Sequence, residues 1–285
     1  MQNVIIKLVI ALKFVYHIEE NTIVYNFLEK MNYSSKLIIK LKKKGIIING
    51  EPARCDSLLN KGDILEVLIP EEESNISSVD KPIEILFEDD YLMALYKPHG
   101  LAVMGTRAHY DDNLSSYVMN YFHKSGLKST VHLINRLDKD TAGIVLIAKS
   151  SYIHHLFQRI KLEKRYYALV HGRPLGNIID EPIKRSEGIK RIVDKEGKQS
   201  ITKYQVLETI NDKSLVDINL VTGRTHQIRV HFSFIGHPLV GDSLYGIDSG
   251  GLKLEAYYLA FTHPISQEKI IIEKSKDFKG GKINE

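Results

Sequence analysis

From residue 83 onward the apolar residues of this chain arrive in short runs broken by turn residues, at 83–87, 92–96, 144–148, 166–170, 202–209 and 214–220. Runs this short suit strands better than helices, which need about ten residues or more. The intervening stretches leave room for only a few helices. The region 83–275 therefore reads as an α+β domain built on a mixed or antiparallel sheet.

The front of the chain has a different grammar. Val4, Ile6 and Leu8 alternate, so 1–20 reads as β-structure. Ile23, Phe27 and Leu28 sit at helical spacing within 22–31. Ser34 or Ser35 can cap a second helix running to about Lys44, with Leu37, Ile38 and Leu41 inward and Lys36, Lys40, Lys43 and Lys44 outward. Gly45 stops it. A strand at 46–48, the hairpin signal Asn49-Gly50 and a strand at 63–69 complete a small α+β unit over 1–70. Residues 71–82 are acidic, serine-containing and bracketed by Pro70 and Pro82, which marks a linker between two cores. The tail 276–285 is rich in Lys and Gly and is expected to fray.

Composition bounds compartment and partner. Cys55 is the single cysteine of the 285 residues, which excludes an internal disulfide or a cysteine-rich zinc site and fits a reducing cytoplasm. The longest apolar run near the start, 8–12, lies between Lys7 and Lys13 and is too short for a signal core; nothing approaches a membrane span. The expectation is a cytoplasmic protein with no membrane partner. A net charge of +4 is a weak argument for nucleic acid. Its distribution says more: Lys36, Lys40, Lys42, Lys43 and Lys44 crowd one segment, and Lys184, Arg185, Lys190, Arg191 and Lys195 another. One such cluster is an ordinary solvated face; two flanking a candidate site favour a polyanion.

Three segments carry that candidate site. The first is Asn135-Arg136-Leu137-Asp138-Lys139-Asp140-Thr141-Ala142-Gly143, which runs straight into the apolar strand 144–148. The second is Lys164-Arg165-Tyr166-Tyr167-Ala168-Leu169-Val170-His171-Gly172. The third is Thr222-Gly223-Arg224-Thr225-His226-Gln227-Ile228-Arg229-Val230-His231, where Thr225 can cap a helix that ends at Gly236. Taken singly, Asp138 is a turn residue and Tyr166 a core aromatic. His226 and His231 read as structural or polyanion-contacting rather than as metal ligands.

Taken together, in this order, and with Lys97-Pro98 and Gly236-His237-Pro238-Leu239-Val240-Gly241-Asp242 beside them, these segments resemble the motifs of the RluA-type pseudouridine synthases. The resemblance spans roughly 80–275. Residues 14–70 resemble, more loosely, the S-four-type RNA-binding domain that many members carry in front. Two positions depart from the pattern: Asn135 stands where the family has His, and Ala142 where it has Ser. Neither is the catalytic acid, so the chemistry is expected to survive.

The resemblance implies isomerisation of uridine in structured RNA. The N1–C1′ bond breaks, the uracil turns, and a C5–C1′ bond forms. Atoms are conserved, so no cofactor and no metal is expected. Asp138 is implied as the catalytic carboxylate, acting as nucleophile or as base. Arg229 is implied as its ion-pair partner, Tyr166 as the ring against the uracil, and Ile228 as a wall of the pocket. Arg136 is implied to fill the space that the flipped base leaves. Lys36, Lys40 and Lys43 are the implied phosphate contacts of the front domain. The expected partner is RNA, ribosomal large-subunit RNA before transfer RNA, bound by a monomer. Two other readings stay open at this point: an inactive RNA-binding assembly factor, and a nucleoside hydrolase or glycosylase, which would release free uracil.

Overall fold

The computed structural model describes residues 12–42, 45–105, 111–278 and Lys282. The alternation at Val4, Ile6 and Leu8 lies outside these residues, as do Lys43 and Lys44. The N-terminal unit runs β1 (Lys13–His17), β2 (Thr22–Ile23), α1 (Val24–Lys30), α2 (Ser35–Leu41), β3 (Ile46–Ile48), β4 (Glu51–Pro52), β5 (Leu58–Leu59) and β6 (Ile64–Leu68). β6 lies between β1 and β3, antiparallel to both, and β4 folds back on β3. Asn49 and Gly50 have φ of +51° and +87°, the pair of left-handed residues that a two-residue hairpin of twisted strands requires. Ser34 caps α2, its hydroxyl accepting the Leu37 N–H at 3.3 Å.

The larger unit continues β7 (Glu84–Glu88), β8 (Leu92–Lys97), α3 (Leu114–Ser125), β9 (His132–Leu133), β10 (Ala142–Ala148), α4 (Ser151–Leu156), β11 (Glu163–His171), β12 (Ile178–Asp180), β13 (Ile183–Arg185), β14 (Arg191–Val193), β15 (Ile201–Ile210), β16 (Lys213–Leu220), α5 (Gln227–Phe234), β17 (Leu254–Thr262) and β18 (Lys269–Glu273). Among the described residues, ten strands join one sheet, ordered β12-β15-β16-β11-β17-β10-β8-β7, with β18 beside β17 and β9 beside β10. Every pairing is antiparallel except β10 with β17. There Gly143 has φ of +120°, and a Cβ on it would lie 2.2 Å from the Ala256 carbonyl oxygen. Only glycine lets the two backbones approach so closely. This is the α+β, mixed-sheet architecture expected from the run lengths.

β8 and β10 are buried along their whole length, and successive residues serve opposite faces. Met93, Leu95, Val145 and Ile147 enter a core closed by Val118, Met119 and Phe122 of α3 and Phe232 of α5. Leu92, Ala94, Ile144, Leu146 and Ala148 enter a second core shared with Phe14, Tyr33, Leu37 and Leu65 of the N-terminal unit. The expected separation of two cores by a linker is therefore corrected: one apolar cluster joins the units. Tyr152 of α4 is its centre, stacked on Tyr33 at 4.1 Å and edge-on to Phe14 at 5.0 Å, with its hydroxyl donating to the Met31 carbonyl at 3.0 Å.

The 71–82 segment has no regular structure but is strapped across α3 and its flank. Glu72 and Val79 N–H donate to the Lys128 and Ser116 carbonyls at 3.0 and 3.1 Å, and the Ser74 and Thr130 hydroxyls lie 2.8 Å apart. The tail is corrected in part as well. Lys276 and Asp277 N–H donate to the buried Glu255 carboxylate, and Phe278 is 3% exposed against Tyr167 and Leu169.

Candidate active site

The loop between β9 and β10 is built from a few fixed points. Asn135 is buried and acts as a surrogate peptide unit: its amide nitrogen donates to the Ile144 carbonyl at 3.0 Å and its oxygen accepts the Leu146 N–H at 2.7 Å. An amide at this position thus satisfies both groups on β10, and the fully buried Ala142 needs no hydroxyl. Leu137 is buried in the α3 core, which turns Arg136 outward and leaves the Asp138 side chain 31% exposed. Lys97 closes the loop from below. Its ammonium, fully buried, donates to the Pro98, Leu101 and Lys139 carbonyls, each at 2.9 Å. Burial pushes this lysine down to about 8, against the opposing pull of Asp140 and Asp138.

His99 adds a tie that the sequence reading missed. Its Nδ1 lies 2.7 Å from the Asp140 carbonyl and its Nε2 lies 2.6 Å from the Asp277 carboxylate. The tail therefore reaches within two residues of Asp138 through one imidazole.

Facing this loop is the start of α5. The cap is corrected: His226, not Thr225, precedes the helix, in the left-handed region (φ +58°) and without a side-chain cap bond. Gln227 fastens the turn instead. Its oxygen accepts from the Thr222 hydroxyl and the Arg224 N–H, and its nitrogen donates to the Ile201 carbonyl and the Thr202 hydroxyl, all at 3.0–3.1 Å. His231 is fully buried between the Thr202 hydroxyl and the Glu181 carbonyl, a structural residue.

The largest correction concerns Arg229. Its guanidinium holds Asp242, not Asp138, with Nε donating at 2.8 Å and Nη2 at 2.6 Å. Asp242 also accepts the Leu244 and Tyr245 N–H groups. Burial by itself would raise the Asp242 carboxyl, but Arg229 and the two backbone donors outweigh it and hold it below the usual range. Arg229 keeps Asp138 within electrostatic reach, without a direct hydrogen bond between them. The fork chose the fully buried carboxylate, where a bidentate pair gains most from low dielectric.

Arg136, Asp138, Tyr166, Ile228 and Arg229 nevertheless line one cavity of about 80 Å³, together with His226 and Leu254. Tyr166 stands where the β11 register shifts against β17, and burial, then the Asp138 charge, raises its phenol well above the ordinary value. The ring is thus a neutral surface beside a carboxylate. His226 is pushed below its ordinary value by burial and by Arg229 and Arg191, against Asp138 and Asp242. Lys36 and Lys40 are exposed on α2 and do not line this cavity, and Lys43 lies outside the described residues. Among the described residues, no three His, Cys, Asp or Glu side chains gather as metal ligands would, and no helix is long and apolar enough to cross a membrane. Asp242 closes one of the sequence motifs, but nothing in its spacing announced Arg229 as its partner, and Tyr245 carried no signal of its own.

Comparisons with known proteins meet this geometry. Residues 91–234 match the family model for RNA pseudouridylate synthase. RNA pseudouridine synthase YjbO of Bacillus subtilis is 34% identical over 256 residues, covering 85% of this chain and 90% of that one. Ribosomal large subunit pseudouridine synthase D of Zymomonas mobilis is 34% identical over 218 residues, covering 67% and 68%. The solved structure of human RNA pseudouridylate synthase domain containing 4 shares the fold, with a TM-score of 0.56 at 24% identity over 67% of this chain and 88% of that one. A family model spanning half the chain and relatives this similar along most of it leave one conclusion: the chain belongs to the RluA-type RNA pseudouridine synthases, isomerases that modify RNA.

Proposed function

We propose that this enzyme isomerises uridines of ribosomal large-subunit RNA in the cytoplasm, with Asp138 acting on the ribose of a flipped nucleotide. The observation that carries the reading is the convergence of Arg136, Asp138, Tyr166, Ile228 and Arg229 on one cavity. At about 80 Å³ it is far below an ordinary ligand pocket of several hundred Å³, too small to take a whole nucleotide. Asp138 lines that cavity with a partly exposed side chain, as a group working on C1′ must be. Tyr166 offers its ring to the uracil, and Ile228 forms a wall. Arg136 is exposed two residues from Asp138, free of the core, and suits the space that the base vacates.

The ribosomal target is supported by the relative that carries it in its name and by the N-terminal unit, which we read as an S-four-type RNA-binding domain. Lys36 and Lys40 on the exposed face of α2, with Lys43 beyond it, supply phosphate contacts that add affinity without reading sequence. Transfer RNA is the competing target.

The test is expression in a bacterial strain lacking its own large-subunit synthases, with pseudouridines mapped by carbodiimide-dependent primer-extension stops. The reading expects new stops in large-subunit RNA that vanish with Asp138→Asn while RNA binding stays within about three-fold, the loss being confined to the transition state. Stops confined to transfer RNA would move the target, and stops that persist in Asp138→Asn would remove Asp138 from its role.

A further inference from the structure

With Arg229 bound to Asp242, the ionisable side chain that comes nearest Asp138 from the start of α5 is His226. Its Nε2 lies 3.8 Å from Asp138 Oδ2. That is beyond a hydrogen bond, yet catalytic contacts in empty sites are often long and tighten when substrate arrives.

Hydrogen-bond inventory decides what His226 offers. Its Nδ1 lies 2.9 Å from the Tyr245 hydroxyl, and the same oxygen accepts the Arg191 N–H at 2.9 Å. With the Arg191 N–H donating to its oxygen, the phenol still has one proton to give, and Nδ1 is the acceptor beside it. A phenol donating there leaves Nδ1 unprotonated and the ring's N–H on Nε2, the nitrogen that faces Asp138. Tyr245 is itself held: its N–H donates to Asp242 and its ring lies under the Arg229 guanidinium at 5.3 Å. The backbone of His226 is left-handed, a conformation uncommon outside glycine, and it is that turn which carries the ring to the loop. The groups facing the ring are Asp138, Arg229, Arg191, Asp242 and Tyr245; burial leads their combined effect, and the ring is neutral at neutral pH.

We propose that His226 is a positioning residue for Asp138: Tyr245 locks it in the Nε2–H tautomer, which donates to one carboxylate oxygen and orients the other toward the ribose. The inference rests on Asp138 being the reacting carboxylate. It adds a task to the Arg229–Asp242 pair, that of holding Tyr245.

The experiment is single-turnover tritium release from an unmodified, C5-tritiated large-subunit RNA transcript, with RNA affinity and melting temperature measured in parallel. His226→Asn keeps a residue that tolerates the left-handed turn, but its amide reaches only as far as Nδ1. It is expected to slow turnover about 10- to 100-fold, with affinity unchanged within about two-fold. His226→Gln extends an amide N–H to the place of Nε2 and is expected to recover most of that rate. Tyr245→Phe removes the tautomer lock and is expected to lie between them. Wild-type turnover in His226→Asn, or a folded His226→Gln no faster than His226→Asn, overturns the proposal. Should His226→Asn fail to fold, Tyr245→Phe decides: a full rate overturns the proposal, and a slowed rate at unchanged affinity supports it. Asp138→Asn separates the two levels. An active Asp138→Asn defeats the catalytic reading, whereas an inactive one beside a fully active His226→Asn defeats only this inference.

Discussion

The two faces of β8 and β10 do different work with neighbouring residues. One face gives Leu92, Ala94, Ile144, Leu146 and Ala148 to the N-terminal unit, through Tyr152, Tyr33 and Phe14. The other gives Met93, Leu95, Val145 and Ile147 to the core behind α3 and α5, and the cavity opens where that core meets the loop and the helix. The first face is apolar contact and aromatic stacking. The edge of the second is a set of buried polar groups, each with a named partner: Lys97 with three carbonyls, Arg229 with Asp242, Gln227 with a turn. The contrast teaches that losses on the first face are measured in stability, while losses at the second fall on geometry as well.

Arg229→Ala is the strongest way to break that contrast. It leaves Asp242 buried with two backbone donors and no counter-charge, a loss of about 3–5 kcal/mol. Denaturant unfolding should show it, and activity should vanish even in the folded fraction. Arg229→Lys should recover little, since a single ammonium cannot reproduce the fork. A variant that is stable yet inactive would return Arg229 to a purely catalytic role.

Tyr152→Ala tests the opposite face. It removes the stack on Tyr33, the edge contact with Phe14 and the bond to Met31, at about 3 kcal/mol. Turnover per folded molecule on a short RNA should stay near wild type. A catalytic fragment starting near Asp80 should for the same reason be unstable and prone to associate through the uncovered face. A fragment as stable as the full chain would show that the shared core contributes little.

Alkaline pH should set stability and activity against each other through Lys97. Its folded value of about 8 lies below its ordinary value. Between the two, the unfolded chain binds more protons, so this group's contribution to stability rises with pH. The neutral amine has two N–H groups for three carbonyls, so the loop slackens and turnover should fall as pH passes about 8. A flat rate from pH 7 to pH 9 would count against a charged Lys97 as the clamp.

The smallest effect is expected at the tail. Asp277→Ala removes the acceptor of His99 Nε2 but leaves its bond to the Asp140 carbonyl. A part-exposed pair of this kind contributes under about 1 kcal/mol, so turnover should drop roughly two- to five-fold. No change would make the docked tail a structural cover alone.

What the sequence determined by itself was local or repeated. The strand runs, the Asn49-Gly50 turn and the Ser34 cap depend on neighbours within a few residues, so their residues announce them. Asp138, Tyr166, Ile228, Arg229 and Arg136 were named as a group by ordered motifs, and they share a cavity. Partnership was another matter. Asp138 and Asp242 are the same residue type, and which of them Arg229 binds follows from which is fully buried within reach of the fork. His226 carried only a general reading, structural or polyanion-contacting, until Tyr245 and Arg191 were brought to it. Lys276 and Asp277, at the start of a Lys- and Gly-rich tail, read as frayed until Glu255 and His99 are seen to hold them. Two apolar units look independent until Tyr152 bridges them. Such contacts join residues 13 to 178 positions apart, and burial, which sets their strength, exists only once the chain has folded.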